Sequence, residues 1–184
     1  MKILAHLAII IAALVFTGCS EVEYININGD NGAISDTDVE LSGAVDLGLS
    51  VKWAACDLGA KLPYVSGNEY TAFSLYESGG SDICGTENDP ATALLGHGWH
   101  MPSRQEVEEL INDCTWKAAV FHKVEGWLVT GPSGKTIFFK SYTRYLTCTL
   151  DESIAYCLNC EYSYVSMVAD QQNNIMRPIR PVQD

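Results

Sequence analysis

The chain has 184 residues, enough for one domain with a core of its own, and 23 acidic residues against 11 basic ones give it a formal charge of −12. A surplus of that sign argues against nucleic acid and anionic lipid headgroups as electrostatic partners, because both are held by clustered Lys and Arg.

Residues 1–18 read as an export signal. Lys2 supplies a basic start, and Ile3 to Val15 is apolar apart from His6. That run falls several residues short of the ~20 a membrane-spanning helix needs, so it fits the apolar region of a cleaved signal. Phe16-Thr17-Gly18-Cys19 resembles a lipobox, in which the peptidase cuts before a cysteine already carrying lipid. The expectation is a lipid anchor on Cys19, stable because each buried methylene contributes ~0.8 kcal/mol. Ser20 lacks the Asp that favours inner-membrane retention in lipoproteins of this kind, and Glu21 and Glu23 resemble a surface-export signal. These point to the outer membrane and the cell surface, with the membrane met through the lipid alone. Residues 19–43 then read as an acidic tether, carrying Glu21, Glu23, Asp30, Asp36, Asp38 and Glu40 and no base. The remainder, 44–184, reads as one domain.

Val45, Leu47, Leu49, Val51 and Trp53 alternate with polar or small residues, which predicts a half-buried strand over 45–53. Residues 57–98 are rich in Gly, Pro, Ser and Asn and read as a long irregular stretch. Ser103 followed by Glu106 is a capping box, and Val107, Leu110, Ile111 and Cys114 follow at helical spacing, so 104–114 is the main helix. Glu108, Glu109 and Asp113 should face water. Strands are expected over 117–123, 126–130 and 135–139, with Gly131-Pro132-Ser133-Gly134 as a turn, then over 145–150 and 154–160 around a turn at Asp151-Glu152-Ser153. Residues 175–182 close as an extended segment, since Pro178 and Pro181 exclude a helix. One or two helices with six or more strands make an α+β domain on an antiparallel sheet.

Three segments together resemble a known family: Val45-Asp46-Leu47-Gly48-Leu49-Ser50-Val51-Lys52-Trp53-Ala54, then Gly98-Trp99-His100-Met101-Pro102-Ser103 with its helix, then Arg177-Pro178-Ile179-Arg180. They resemble the Fibrobacter succinogenes major paralogous domain of Bacteroidetes lipoproteins, itself similar to the C-terminal domain of Legionella collagen-like adhesins. The resemblance implies a C-type-lectin-like fold and a surface or adhesive role, without one defined activity. The chain departs from the family at His100, where Arg is common, and at Leu146-Thr147-Cys148, where Trp-Ser-Ser is common.

Apart from Cys19 there are cysteines at 56, 84, 114, 148, 157 and 160, and an even set in an exported chain reads as disulfides. A two-residue loop at Glu152-Ser153 pairs strand positions that place Cys148 opposite Cys157, on a non-hydrogen-bonded pair with Cα atoms ~4.5 Å apart. That predicts Cys148–Cys157. The resemblance implies Cys56–Cys114, because relatives often carry cysteine at both, and Cys84–Cys160 is left by elimination. The rival for Cys157-x-x-Cys160 is redox or metal chemistry, against which a strand would point the two thiols to opposite faces. His97 and His100 could hold zinc with Cys84 or an acid, but no second histidine pair supports it, and neither a metal nor a cofactor is expected. No nucleophile elbow or phosphate loop is present, so the chain reads as a non-enzyme.

Trp53, Trp99, Trp116 and Trp127 sit in apolar patterns and read as core, and Arg177 and Arg180 as carboxylate partners that lock the chain end. Glu161, Tyr162 and Tyr164, close to a polar run containing Asp170 and Asn173, suit sugar recognition by stacking and hydrogen bonding. The alternative is that they are ordinary strand residues packed on the sheet. The expected function is a non-catalytic surface module binding glycan or host matrix; the alternative is a structural subunit of a surface assembly.

Overall fold

The computed structural model describes residues 33–76, 83–151, 154–171 and 174–184. The expected signal, Cys19 and the tether as far as residue 32 lie outside these residues. No helix among the described residues is long and apolar enough to cross a membrane.

The domain is a mixed α+β fold with mostly antiparallel sheets. In chain order, β1 (Ala33–Ile34), β2 (Ala44–Val45), β3 (Lys52–Ala54) and β4 (Glu69–Tyr70) precede two short helices, α1 (Ala72–Tyr76) and α2 (Pro90–Leu95). Next come β5 (Trp99–His100) and α3 (Arg104–Asp113), the one helix longer than two turns among the described residues. Six longer strands follow: β6 (Thr115–Phe121), β7 (Val124–Thr130), β8 (Thr136–Lys140), β9 (Thr143–Asp151), β10 (Ile154–Cys160) and β11 (Val165–Asp170). Two short strands, β12 (Arg177–Pro178) and β13 (Val182–Gln183), finish the domain. The sheets run β1-β6-β7-β8, β11-β10-β9, β2-β3-β13-β5, and β12-β4, and among the described strands only β1 on β6 is parallel.

The capping box opens α3 as the sequence requires. Ser103 Oγ accepts from Glu106 N, and Glu106 Oε2 accepts from Ser103 N at 2.6 Å. Val107 and Leu110 are buried, and the helix ends at Asp113, one position before the expected end, with Cys114 as its C-cap. Glu109 does not simply face water: it accepts from Ser50 N at 2.9 Å.

The strand expected over 45–53 is a hairpin instead. β2 and β3 pair with each other, Val45 opposite Trp53, and the chain turns between them. Gly48 takes φ +82°, and Asp46 Oδ1 accepts from Gly48 N at 2.9 Å, a local turn that competes with extension. The 131–134 turn seizes the same backbone: Ser133 N donates to Leu47 O, and a Cβ on Gly131 would stand 2.2 Å from that oxygen. Val45, Leu47 and Trp53 still bury, so the alternation described faces correctly and connectivity wrongly. Nor does the expected tether stay free to residue 43, since Val39 is buried with Phe121 and Phe138 and Ile34 packs beside them.

Sheet β9-β10-β11 is covered on both faces. Tyr145, Leu158, Cys160 and Val165 face a core containing Trp53, Val107, Leu110 and Phe139, while Leu146, Cys148, Ala155 and Cys157 face a second core with Leu58, Ile83, Met101 and Ile179. Cys157 and Cys160 thus point to opposite faces. Trp53 and Trp127 are buried, whereas Trp99 and Trp116 are only partly so.

The disulfide expectation is corrected. Near the turn the register is as counted, with Ile154 opposite Asp151 and Ala155 opposite Leu150, but Cys157 then faces Leu146. A bulge in β9 around residues 147–149 absorbs the difference, and it is tied to the start of α3: Cys148 N donates to Pro102 O at 2.9 Å and Arg104 N to Thr149 Oγ1 at 3.0 Å. Cys148 therefore leaves Cys157 and bonds Cys84, with Cα atoms 5.1 Å apart. Cys56, Cys114, Cys157 and Cys160 are free thiols, so Cys148–Cys157, Cys56–Cys114 and Cys84–Cys160 are not formed.

Candidate functional site

The segment 161–164 is the turn between β10 and β11, closed by Glu161 N donating to Tyr164 O at 2.9 Å. Trp127 Nε1 donates to Glu161 O at 2.8 Å, which fixes the turn on β7. Tyr164 is exposed and Tyr162 half-buried. The structure adds a residue that sequence reasoning missed. Tyr142, in the turn between β8 and β9, stacks on Tyr162 with ring centroids 6.0 Å apart and planes 16° apart. It is 69% exposed, more than any other large apolar or aromatic side chain among the described residues.

Tyr142 also takes φ +55°, the left-handed region that Gly and Asn normally fill. For a bulky side chain that conformation costs roughly 1–2 kcal/mol. Ser141 N donating to Glu125 O and Thr143 Oγ1 donating to Ser141 O hold the turn in place. Strain held at an exposed ring, where burial gives nothing back, is the kind of outlier that marks functional positions. The signal in the sequence was an aromatic standing where a turn calls for Gly or Asn.

Asp170 is not part of this cluster. It lies at the far end of β11, opposite Ala155, whereas Val165 beside the turn faces Cys160. It is 4% exposed, closely paired with Arg177 and 3.5 Å from Arg144 Nη1, so it holds the fold. Asn173 lies outside the described residues. Of the expected ligand residues, Glu161, Tyr162 and Tyr164 are brought together and Asp170 is not.

Three buried charges, Asp57, Lys140 and Arg180, form a second cluster. Arg180 directs all five guanidinium N–H groups to acceptors: Asp57 Oδ1 twice, at 3.1 and 2.7 Å, and the carbonyls of Ala54, Ala55 and Phe138. Its plane lies 4.5 Å from the Phe139 centroid. Lys140 Nζ stands 2.9 Å from Asp57 Oδ2, an ion pair without hydrogen-bond geometry, and bonds Ser66 Oγ. Arg177 and Arg180 thus pair with carboxylates, as the sequence suggested.

A cavity of about 300 Å³ beside this network is lined by Cys56, Lys61, Leu95, Trp99 and Pro181. Burial raises the Cys56 thiol pKa against the pull of Arg180, and Sγ donates to Leu41 O at 3.3 Å, so it is not a poised nucleophile. His100 sits between Glu106 and Asp184 at 3.7 and 3.4 Å, His97 is exposed, and His122 pairs with Asp36 and stacks on Tyr64. Among the described residues no group of three or more His, Cys, Asp or Glu side chains is placed to hold a metal. Protein-family models, curated proteins and solved structures offer no match to this chain.

Proposed function

We propose that the chain is a cell-surface lipoprotein of the outer membrane whose domain, built on a C-type-lectin-like plan, is a non-catalytic module binding glycan or host matrix. The observation that supports this most is the exposed, strained Tyr142 ring stacked on Tyr162, with Tyr164 and Glu161 on the adjoining turn. A pyranose ring lays its C–H face on such a surface while neighbouring hydroxyls bond its rim. The resemblance to the Fibrobacter succinogenes major paralogous domain and the lipobox at Cys19 favour the surface location.

A glycan and matrix array probed with the oxidised chain, with and without chelator, tests this reading. Selective binding that falls in Tyr162→Ala or Tyr164→Ala supports it. A blank array under both conditions overturns it.

A second reading, a subunit of a surface assembly, is favoured by the outer edge of β6. There β1 pairs only Val120 and Phe121, leaving residues 115–119 with no outer strand among the described residues. Concentration-dependent oligomers that disappear when Ala118 becomes Pro would support it.

A further inference from the structure

We infer that the tyrosine platform takes an uncharged glycan, an inference that rests on the binding reading above. The segments bearing the platform, 141–143 and 161–165, contain one charged side chain, the carboxylate of Glu161. Sulfated, phosphorylated or sialylated sugars need the opposite. Their oxyanions are held by the guanidinium fork of Arg or the ammonium of Lys, free to meet the ligand.

The bases flanking the platform in the chain are already engaged. Lys140 is turned inward onto Asp57 and Ser66 Oγ, with its side chain 10% exposed. Arg144 Nε donates to Asn159 Oδ1 at 3.1 Å, and its Nη1 faces Asp170. Elsewhere Arg177 and Arg180 are buried on their carboxylates, and Arg104 pairs with Glu108 across one helical turn. With five of the chain's 11 Lys and Arg residues paired with carboxylates and a formal charge of −12, the field around the domain repels polyanions.

What the platform offers is an aromatic face and hydroxyls: the Tyr142 ring, the exposed Ser163 and the exposed Tyr164. These recognise the alternating C–H face and equatorial hydroxyls of a neutral hexose or N-acetylhexosamine unit. Two exposed tyrosines make a small site, so binding is expected to be weak per sugar and strengthened by presentation of many copies.

The test displays polymeric probes of three kinds to the full chain in detergent: uncharged β-linked hexose and N-acetylhexosamine oligomers, heparin, and chitosan. Each is read at about 50 and about 500 mM salt, where the Debye length is roughly 14 and 4 Å. The expected result is binding to an uncharged series, changing less than about twofold with salt, where a charge-steered partner would change steeply. Tyr142→Phe keeps the ring and the binding; Tyr142→Gly, which also relieves the turn and so keeps the fold, loses about tenfold or more, the effect of roughly 1.4 kcal/mol of lost stacking. Binding confined to heparin or chitosan and abolished by salt overturns the uncharged class and leaves the platform standing. A blank for all three overturns both.

Discussion

Replacing Asp57 by Asn removes the single negative charge from a site that also holds Arg180 and Lys140. The native site carries a net +1, with Arg180 fully buried and the Lys140 side chain 10% exposed. In Asp57→Asn two cations face each other with no counter-charge. Leaving a buried charge uncompensated in this way costs about 3–5 kcal/mol, roughly a fifth or more of the ~5–15 kcal/mol that stabilises a typical domain. Lys140→Met does the opposite, leaving a neutral Asp57–Arg180 pair, and the lost Ser66 bond is worth only ~1 kcal/mol. The double variant, Asp57→Asn with Lys140→Met, should therefore be more stable than Asp57→Asn alone. Urea unfolding followed by circular dichroism, with midpoints compared at constant slope, measures all three. If Lys140→Met costs as much as Asp57→Asn, or if the double variant shows the plain sum of the singles, the charge reasoning is wrong.

Tyr142→Gly should raise stability by about 1 kcal/mol, by releasing the positive-φ strain, while weakening the proposed glycan binding about tenfold or more; thermal unfolding beside the array shows whether the two move in opposite directions. The Cys84–Cys148 bond spans 64 residues, so replacing both cysteines by Ala should cost about 4 kcal/mol on the chain-entropy estimate, read from urea midpoints, and a loss under about 1 kcal/mol would count against it. Burial raises the Cys114 and Cys157 thiols from 9.0 to about 12. Below pH 9 both thiols are neutral in the folded and unfolded chain alike, so stability is unaffected there; between about pH 9 and 12 the unfolded chain loses these protons first, and stability falls as pH rises. An unfolding series across that range, in parallel with iodoacetamide labelling of the native chain, reads both the slope and the protection of the two thiols.

The sequence made visible what depends on near neighbours in the chain. Ser103 and Glu106 announce α3 because both capping bonds close within one turn. The three strands after α3 lie within a few residues of expectation because each alternates or runs apolar between turn residues. Arg177 and Arg180, on an apolar segment, had to find carboxylates, and did. What could not be read depends on distant partners. The Val45–Trp53 alternation fits a strand and a hairpin equally, and Ser133 and Gly131, far along the chain, decide between them. The bulge at 147–149 that separates Cys148 from Cys157 is fixed by Pro102 and Arg104, outside the hairpin altogether. Tyr142 was hidden because only its backbone torsion and its neighbour Tyr162, brought up by another turn, distinguish it from a core aromatic.

The position of Arg180 in the chain has a consequence for how the protein is made. Asp57 and the carbonyls of Ala54, Ala55 and Phe138 wait for the guanidinium of Arg180, 123 residues beyond Asp57 in the chain, and β13 must slide between β3 and β5 to finish that sheet. A nascent chain shorter than this holds a buried carboxylate with only Lys140 to meet it and a sheet with an empty central place. Closure of the domain is thereby deferred until Arg180 and β13 have followed every strand and helix they join. If the chain is exported as proposed, a latch made of such distant partners would keep it unfolded for as long as threading through a membrane pore requires.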